Sequence, residues 1–157
     1  MAVRTKGAPE GSKRGGTTDP LARLLADTYT LYVKTQGYHW NVTGSDFPTL
    51  HAMFEQQYVE LRDAADVIAE RIRTLGEVAP GSLGEFASLA SVQDERAAPE
   101  AAEMIRRLTR AHETTVQTAR AAFHAAEEAG DIGTVNLTSA RIEAHEKTIW
   151  MLKATAS

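Results

Sequence analysis

The breaks in this chain are few, and the pieces between them are long. Gly44 and Pro48 interrupt it once, the stretch from Gly76 to Pro99 a second time, and Gly130 a third. Within each piece, apolar residues recur every three to four positions rather than every second one, which is the helical period. The first piece carries Leu21, Leu25, Thr28, Tyr32, Thr35 and His39 on one stripe. The second carries Leu50, Phe54, Leu61, Ala65, Ile68, Ile72 and Leu75. No segment alternates in the manner of a half-buried strand. Four long helices with a short link, a long link and a short link predict an all-α fold, a four-helix bundle with one crossover.

The boundaries follow from local chemistry. Asp19 is expected as the N-cap of the first helix and Pro20 as its first residue, with the end near Thr43 and Gly44. Pro48 opens the second helix and Gly76 stops it. A short helix is expected near Leu83–Leu89 inside the crossover. The third runs from about Pro99 to Glu128, with Ile105, Leu108, Thr115, Ala119 and Phe123 inward. The fourth runs from about Asp131 to Ala154, with Val135, Ile142, Ile149 and Leu152 inward. His145 lies on that last stripe and reads as structural, and Trp150 and Met151 read as packing.

Residues 1–18 differ from the rest. They hold four Gly, little apolar content, and Arg4, Lys6, Lys13 and Arg14 against Glu10, a balance of +3. The net charge is −4, so the other 139 residues carry −7. The expectation is a flexible basic arm on an acidic bundle domain, residues 19–157. No apolar run approaches the ~20 residues that span a bilayer, and no apolar segment follows the charged N-terminus as a secretory signal requires. Cysteine is absent, which excludes disulfides, thiol catalysis and cysteine-bound zinc. These features point to a cytoplasmic protein without a membrane partner.

Only 5 of the 157 residues are histidine, yet His39 and His51 sit symmetrically about residue 45. If the first two helices form an antiparallel hairpin there, the two rings lie at one height and converge across the ~8–10 Å between axes. Glu55 follows His51 by one turn on the same face. Two imidazoles and a carboxylate make half a metal site. Bundles that hold two irons within one chain draw a Glu-x-x-His motif from each of two helices. This chain has none, since Thr109, Ala121 and Ile142 stand three before His112, His124 and His145.

A completing half is present further along the second helix. Asp66 lies roughly 16 Å from Glu55 along the axis, too far to share a site within one chain. At about 100° per residue, positions 51, 55, 66 and 70 nevertheless share one face. They also mirror one another about a point between residues 60 and 61. A two-fold axis there would bring Glu70 of a second copy to His51 and Asp66 to Glu55, twice by symmetry. The donor set is nitrogen and oxygen without sulfur, which suits ferrous iron, zinc or manganese and disfavours copper(I).

The stretch from His39 to Glu55, HWNVTG followed five residues later by LHAMFE, resembles the signature of the Dps family of mini-ferritins. Asp66 to Gly76, DVIAERIRTLG, resembles its second signature, and HEKTIWML, His145 to Leu152, is similar to its closing helix. The resemblance covers about residues 19–155. It implies a ferritin-like bundle assembled from two-fold dimers into a hollow shell of twelve copies. It implies ferroxidase activity, in which ferrous iron is oxidised, preferentially by hydrogen peroxide, and stored as ferric mineral, with protection against oxidative damage and no organic cofactor. Carried over by position, His39, His51 and Glu55 of one chain and Asp66 and Glu70 of its neighbour hold the metal. Glu55 stands where many members have Asp. Trp40 resembles the family tryptophan that exchanges an electron near the site. Acidic pores for iron entry would fall at Glu127, Glu128 and Asp131. Some members bind DNA through basic tails, which gives Arg4, Lys6, Lys13 and Arg14 a candidate role. The competing readings are a nucleoid protein that mainly compacts DNA and a plain helical adaptor.

Overall fold

The computed structural model describes residues 16–156; the basic residues Arg4, Lys6, Lys13 and Arg14 lie outside them. Five helices follow one another: α1 (Thr18–Asn41), α2 (Phe47–Thr74), α3 (Leu83–Leu89), α4 (Ala101–Glu128) and α5 (Ile132–Thr155). α1 packs against α2 and α4, α4 against α5, and the short α3 lies on α1, while α2 and α5 touch sparsely. This is the expected bundle with its crossover helix.

Most boundaries agree with the local signals. One does not: α1 begins at Thr18, so Asp19 lies in the first turn rather than at the N-cap, which is Thr17. Pro20 is tolerated as the third helical residue because the first-turn N–H groups have no partner within the helix anyway. Ser82 caps α3, accepting from the Glu85 N–H, while Glu85 reaches back to Gly81 N–H and the Ser82 hydroxyl. That reciprocal pairing is a capping box. Asp131 caps α5 through the Thr134 N–H.

The core is divided. One apolar cluster gathers Leu31, Tyr38, Leu50, Phe54, Leu61, Met104, Leu108 and Leu152. The other gathers Leu21, Leu24, Leu25, Ile68, Ile72, Phe86 and Ala119 at the opposite end. Between them lies a buried polar belt: Asp27 and Thr28 on α1, His112 and Thr115 on α4, Arg141 and His145 on α5. Asp27 is fully buried and accepts the Ser91 N–H (2.6 Å), the Val92 N–H (2.8 Å) and the Thr118 hydroxyl (2.6 Å). It thereby pins the irregular part of the crossover to α1 and α4.

The expected inner stripe of α5 needs correction. Val135, Ile142 and Ile149 are only half-buried, and the fully covered line is Thr134, Thr138, Arg141, His145 and Leu152. Polar groups can be inside because most find partners there: Arg141 meets Glu60, and His145 meets His112 and Arg141. Trp150, expected to pack, is 66% exposed. On α4, Phe123 is half-buried rather than inward.

Replacing Asp27 by Ala strands two backbone N–H groups and leaves the Thr118 hydroxyl only its bond to the Thr114 carbonyl, at an expected cost of about 2–4 kcal/mol. Asp27→Asn keeps an acceptor oxygen for the two N–H groups and should lose much less. Thermal unfolding of the two variants checks the order.

Candidate metal centre

The α1–α2 turn sets this site. Val42 leaves α1 in an extended conformation with its side chain buried, and its N–H still bonds to the Tyr38 carbonyl at 2.9 Å. Gly44 then takes φ +109°, a region that costs an L side chain strain and glycine none. Three residues on, α2 begins, with Pro48 in its first turn. The chain reverses within five residues, Val42 to Asp46, so His39 and His51 meet.

They meet reciprocally. His39 Nδ1 lies 2.7 Å from the His51 carbonyl oxygen, and His51 Nδ1 lies 2.8 Å from the His39 carbonyl oxygen. A carbonyl only accepts, so each Nδ1 carries the hydrogen. In the neutral ring that leaves Nε2 with its lone pair uncommitted, on both residues. Histidine ligands are oriented by this kind of backbone hydrogen bond, which fixes both the tautomer and the ring. The rings stack at 3.8 Å between centroids and 15° between planes. Phe47 covers the outer face of the stack against His51 (4.9 Å), and Tyr58 presses edge-on against His39 (5.2 Å). Neither aromatic was legible as part of the site, although Phe47 stands directly before the helix-opening proline.

Tyr38, one residue before His39, ties this corner to the crossover. Its hydroxyl donates to Glu95 at 2.6 Å, and Arg107 donates to the same oxygen at 2.7 Å. Burial pushes the Glu95 carboxyl up, but the hydrogen bonds from Tyr38, Arg107 and the Ala97 N–H outweigh it and hold it at about 2. Burial and the Glu95 bond raise the Tyr38 phenol. Glu95 lies in irregular chain, where no periodic signal points to it.

The remaining expected residues do not gather within one chain. Glu55, Asp66 and Glu70 are all exposed on α2. Among the described residues, no three His, Asp or Glu side chains come close enough to hold a metal ion. Trp40 stands beside the pair, 66% exposed. Of the expected pore residues, Glu127 and Glu128 are exposed, with Glu127 accepting from His124 at 3.2 Å. Asp131 is engaged otherwise. It receives Arg71 at 2.6 Å and both the N–H and hydroxyl of Thr134. Burial alone would raise its carboxyl; those bonds bring it below the ordinary carboxylate range. Arg71, next to Glu70, thus clamps the end of α2 to the start of α5. Gly133 allows this, since a Cβ there would come within 2.7 Å of the guanidinium.

The family model for the ferritin-like domain matches residues 18–157. The DNA protection during starvation protein of Brevibacillus brevis is 34% identical over 134 residues, covering 85% of this chain and 90% of that protein. The chain belongs to the ferritin-like family, in its Dps branch. Among solved structures of that branch is the Dps protein of Vibrio cholerae O1, a member of a broad superfamily of ferritin-like diiron-carboxylate proteins. It has a TM-score of 0.86 and 33% identity, over 90% of this chain and 89% of that one. Antigen TpF1 of Treponema pallidum reaches a TM-score of 0.88 at 30% identity, over 98% and 99% of the two chains. Membership of the Dps branch fits iron as the metal in question, and among the described residues no helix is long and apolar enough to cross a membrane.

Glu95 gives this corner a pH signature. Its carboxyl lies below the ordinary 4.5, at about 2, so its contribution to stability is complete above the unfolded value. That contribution fades as pH falls from there toward the folded one. Thermal midpoints at pH 7 and pH 3.5 should fall further in the native chain than in Glu95→Gln, which has no such proton to gain.

Proposed function

We propose that this chain is the subunit of a Dps-type shell that oxidises ferrous iron at sites shared between two copies and stores the ferric product. One observation carries the reading: the reciprocal hydrogen bonds that leave both His39 Nε2 and His51 Nε2 free as ligands. In this reading His39, His51 and Glu55 of one copy are completed by Asp66 and Glu70 of a second. The two copies are related by a two-fold axis crossing α2 between residues 60 and 61. Two further features support it. The carboxylates are exposed along one helix face while too far apart to act within one chain. Large apolar side chains flank them uncovered, Trp40 at 66%, Val67 at 54% and Phe47 at 39% exposure, as a surface awaiting a partner does.

The substrates are ferrous iron and an oxidant, hydrogen peroxide by preference. Imidazole nitrogen and carboxylate oxygen suit ferrous ions, and the oxygens stabilise the extra charge of the ferric product. Two ferrous ions held together each give up one electron. The O–O bond of one peroxide breaks, two protons are taken up, and two waters leave. A lone ferrous ion would supply one electron and release a hydroxyl radical. That is the chemical reason for pairing the ions and for a protective role. Trp40, beside His39, is the residue that supplies an electron when only one ion is present. Because Asp131 is engaged by Arg71 and Thr134, Glu127 and Glu128 are left to draw cations toward an entry pore. Twelve copies in a cytoplasmic shell are the expected assembly.

A second reading, DNA compaction, rests on the +3 balance of residues 1–18. Twelve such arms could raise avidity without any new contact, through phosphate contacts that weaken with salt. A gel shift at low salt should show retardation by the full-length protein and none by a chain lacking residues 1–18; equal retardation would dismiss the arm.

Mixed shells test the shared site. His51→Ala alone, and Asp66→Ala with Glu70→Ala, should each assemble and each nearly abolish anaerobic peroxide-driven iron oxidation. Unfolded and reassembled in equal amounts, half of the dimers pair one of each, and every such dimer has one intact site of two. Activity should return to about one quarter of the native rate. No recovery would mean that the ligands act within one chain or not at all.

A further inference from the structure

Four buried side-chain nitrogen and oxygen atoms lack a partner among the described residues: Gln57 Nε2 and Oε1, His112 Nε2 and Arg141 Nε. All four fall in one place, the sparse seam of α2 with α4 and α5. A cavity of about 370 Å³ opens there, lined by Gln57, Glu60, His112, Lys147 and Thr148 among others. Buried polar groups without partners are costly, and the three on Gln57 and His112, both of which line this cavity, mark a site for something that would satisfy them.

The hydrogen-bond chain leading into the cavity dictates what it accepts. Arg141 can only donate. Its Nη2 lies 3.3 Å from His145 Nε2, which must therefore be the bare, accepting nitrogen. The hydrogen of neutral His145 is then on Nδ1, which lies 2.8 Å from His112 Nδ1. His112 accepts there, so its own hydrogen sits on Nε2, the unpartnered atom of a residue that lines the cavity. Both rings are neutral: burial, reinforced by Arg141, pushes His112 down to about 3, and burial holds His145 well below its ordinary value. The cavity thus faces an N–H, not a lone pair. A metal ion at His112 would need the opposite tautomers, which would set His145 Nε2–H against the Arg141 N–H.

The cavity therefore suits an oxygen-rich acceptor. His112 Nε2–H and the Gln57 amide nitrogen donate. Lys147, which makes no ion pair among the described residues, adds positive charge, while Arg141 holds Glu60 through both of its terminal nitrogens. Gln57 Oε1 requires a hydrogen in return. We propose that the seam is a binding site for a small protonated tetrahedral oxyanion of the hydrogen phosphate type, and that Arg141 makes it so by fixing the tautomers of the histidine pair. The proposal is independent of the iron site.

The test uses the full-length oligomer in metal-free buffer at pH 7, titrated calorimetrically with inorganic phosphate and, separately, with sulfate. One saturable phosphate per chain is expected, with sulfate about tenfold weaker because it offers Gln57 no hydrogen. Gln57→Leu removes two stranded atoms, so it should unfold at the same or a higher temperature than the native chain without phosphate. It should also lose the phosphate-dependent rise in midpoint that binding confers on the native protein. Arg141→Met, placed on a His51→Ala background to silence the interface ligands, should weaken phosphate binding and gain one cobalt(II) per chain, read from its visible absorption. The proposal is overturned by a native oligomer with no saturable phosphate, by phosphate affinity unchanged in Gln57→Leu, or by an Arg141→Met variant that still refuses cobalt.

Discussion

The exchange of hydrogen bonds between His39 and His51 holds the candidate site of this molecule together. Each ring bonds to the backbone of the other's helix, so the pair is a latch on the α1–α2 hairpin as well as a candidate ligand set. The latch needs the tight reversal at Gly44, the packing of Phe47 on His51 and of Tyr58 on His39, and the register that places residue 39 level with residue 51. A shift of one residue along either helix would rotate a ring by about 100° and break both bonds. Hairpin geometry and ligand chemistry are therefore a single constraint.

The fold was legible because its signals are redundant. The glycines at 44, 76 and 130, the prolines at 48 and 99, and the helical period between them agree on where the helices lie. The crossover helix was expected near Leu83–Leu89, and the structure adds the Ser82 and Glu85 cap that starts it. What failed was the inner face of α5. Its isoleucines and valine suggested one stripe, while the covered line runs through Thr134, Thr138, Arg141 and His145. Hydrophobicity decides a face only when the neighbours are apolar. Here the neighbours offered Glu60 and His112, so a polar line could go inside at little cost.

The candidate site was legible in part, for a similar reason. Spacing about a turn is enough to bring two histidines together, because a short hairpin has few alternatives. Spacing cannot report the second layer: Tyr38 held by Glu95, or Arg71 reaching Asp131 past Gly133. Those partners lie 57 and 60 residues apart in the chain, and only the packed bundle relates them. The acidic cluster at the α4–α5 turn shows the same limit. Asp131 looked equivalent to Glu127 and Glu128, but as the N-cap of α5 its oxygens are already committed.

The polar belt across the middle of the bundle has an effect on how the helices find their alignment. Two greasy halves joined end to end would tolerate sliding, since one leucine fits another's place at modest expense. A layer in which Asp27 must meet the crossover, Arg141 must meet Glu60 and one imidazole must meet another admits a single arrangement. Such a layer works like the wards of a lock: it adds little grip, but it rejects nearly every misaligned key.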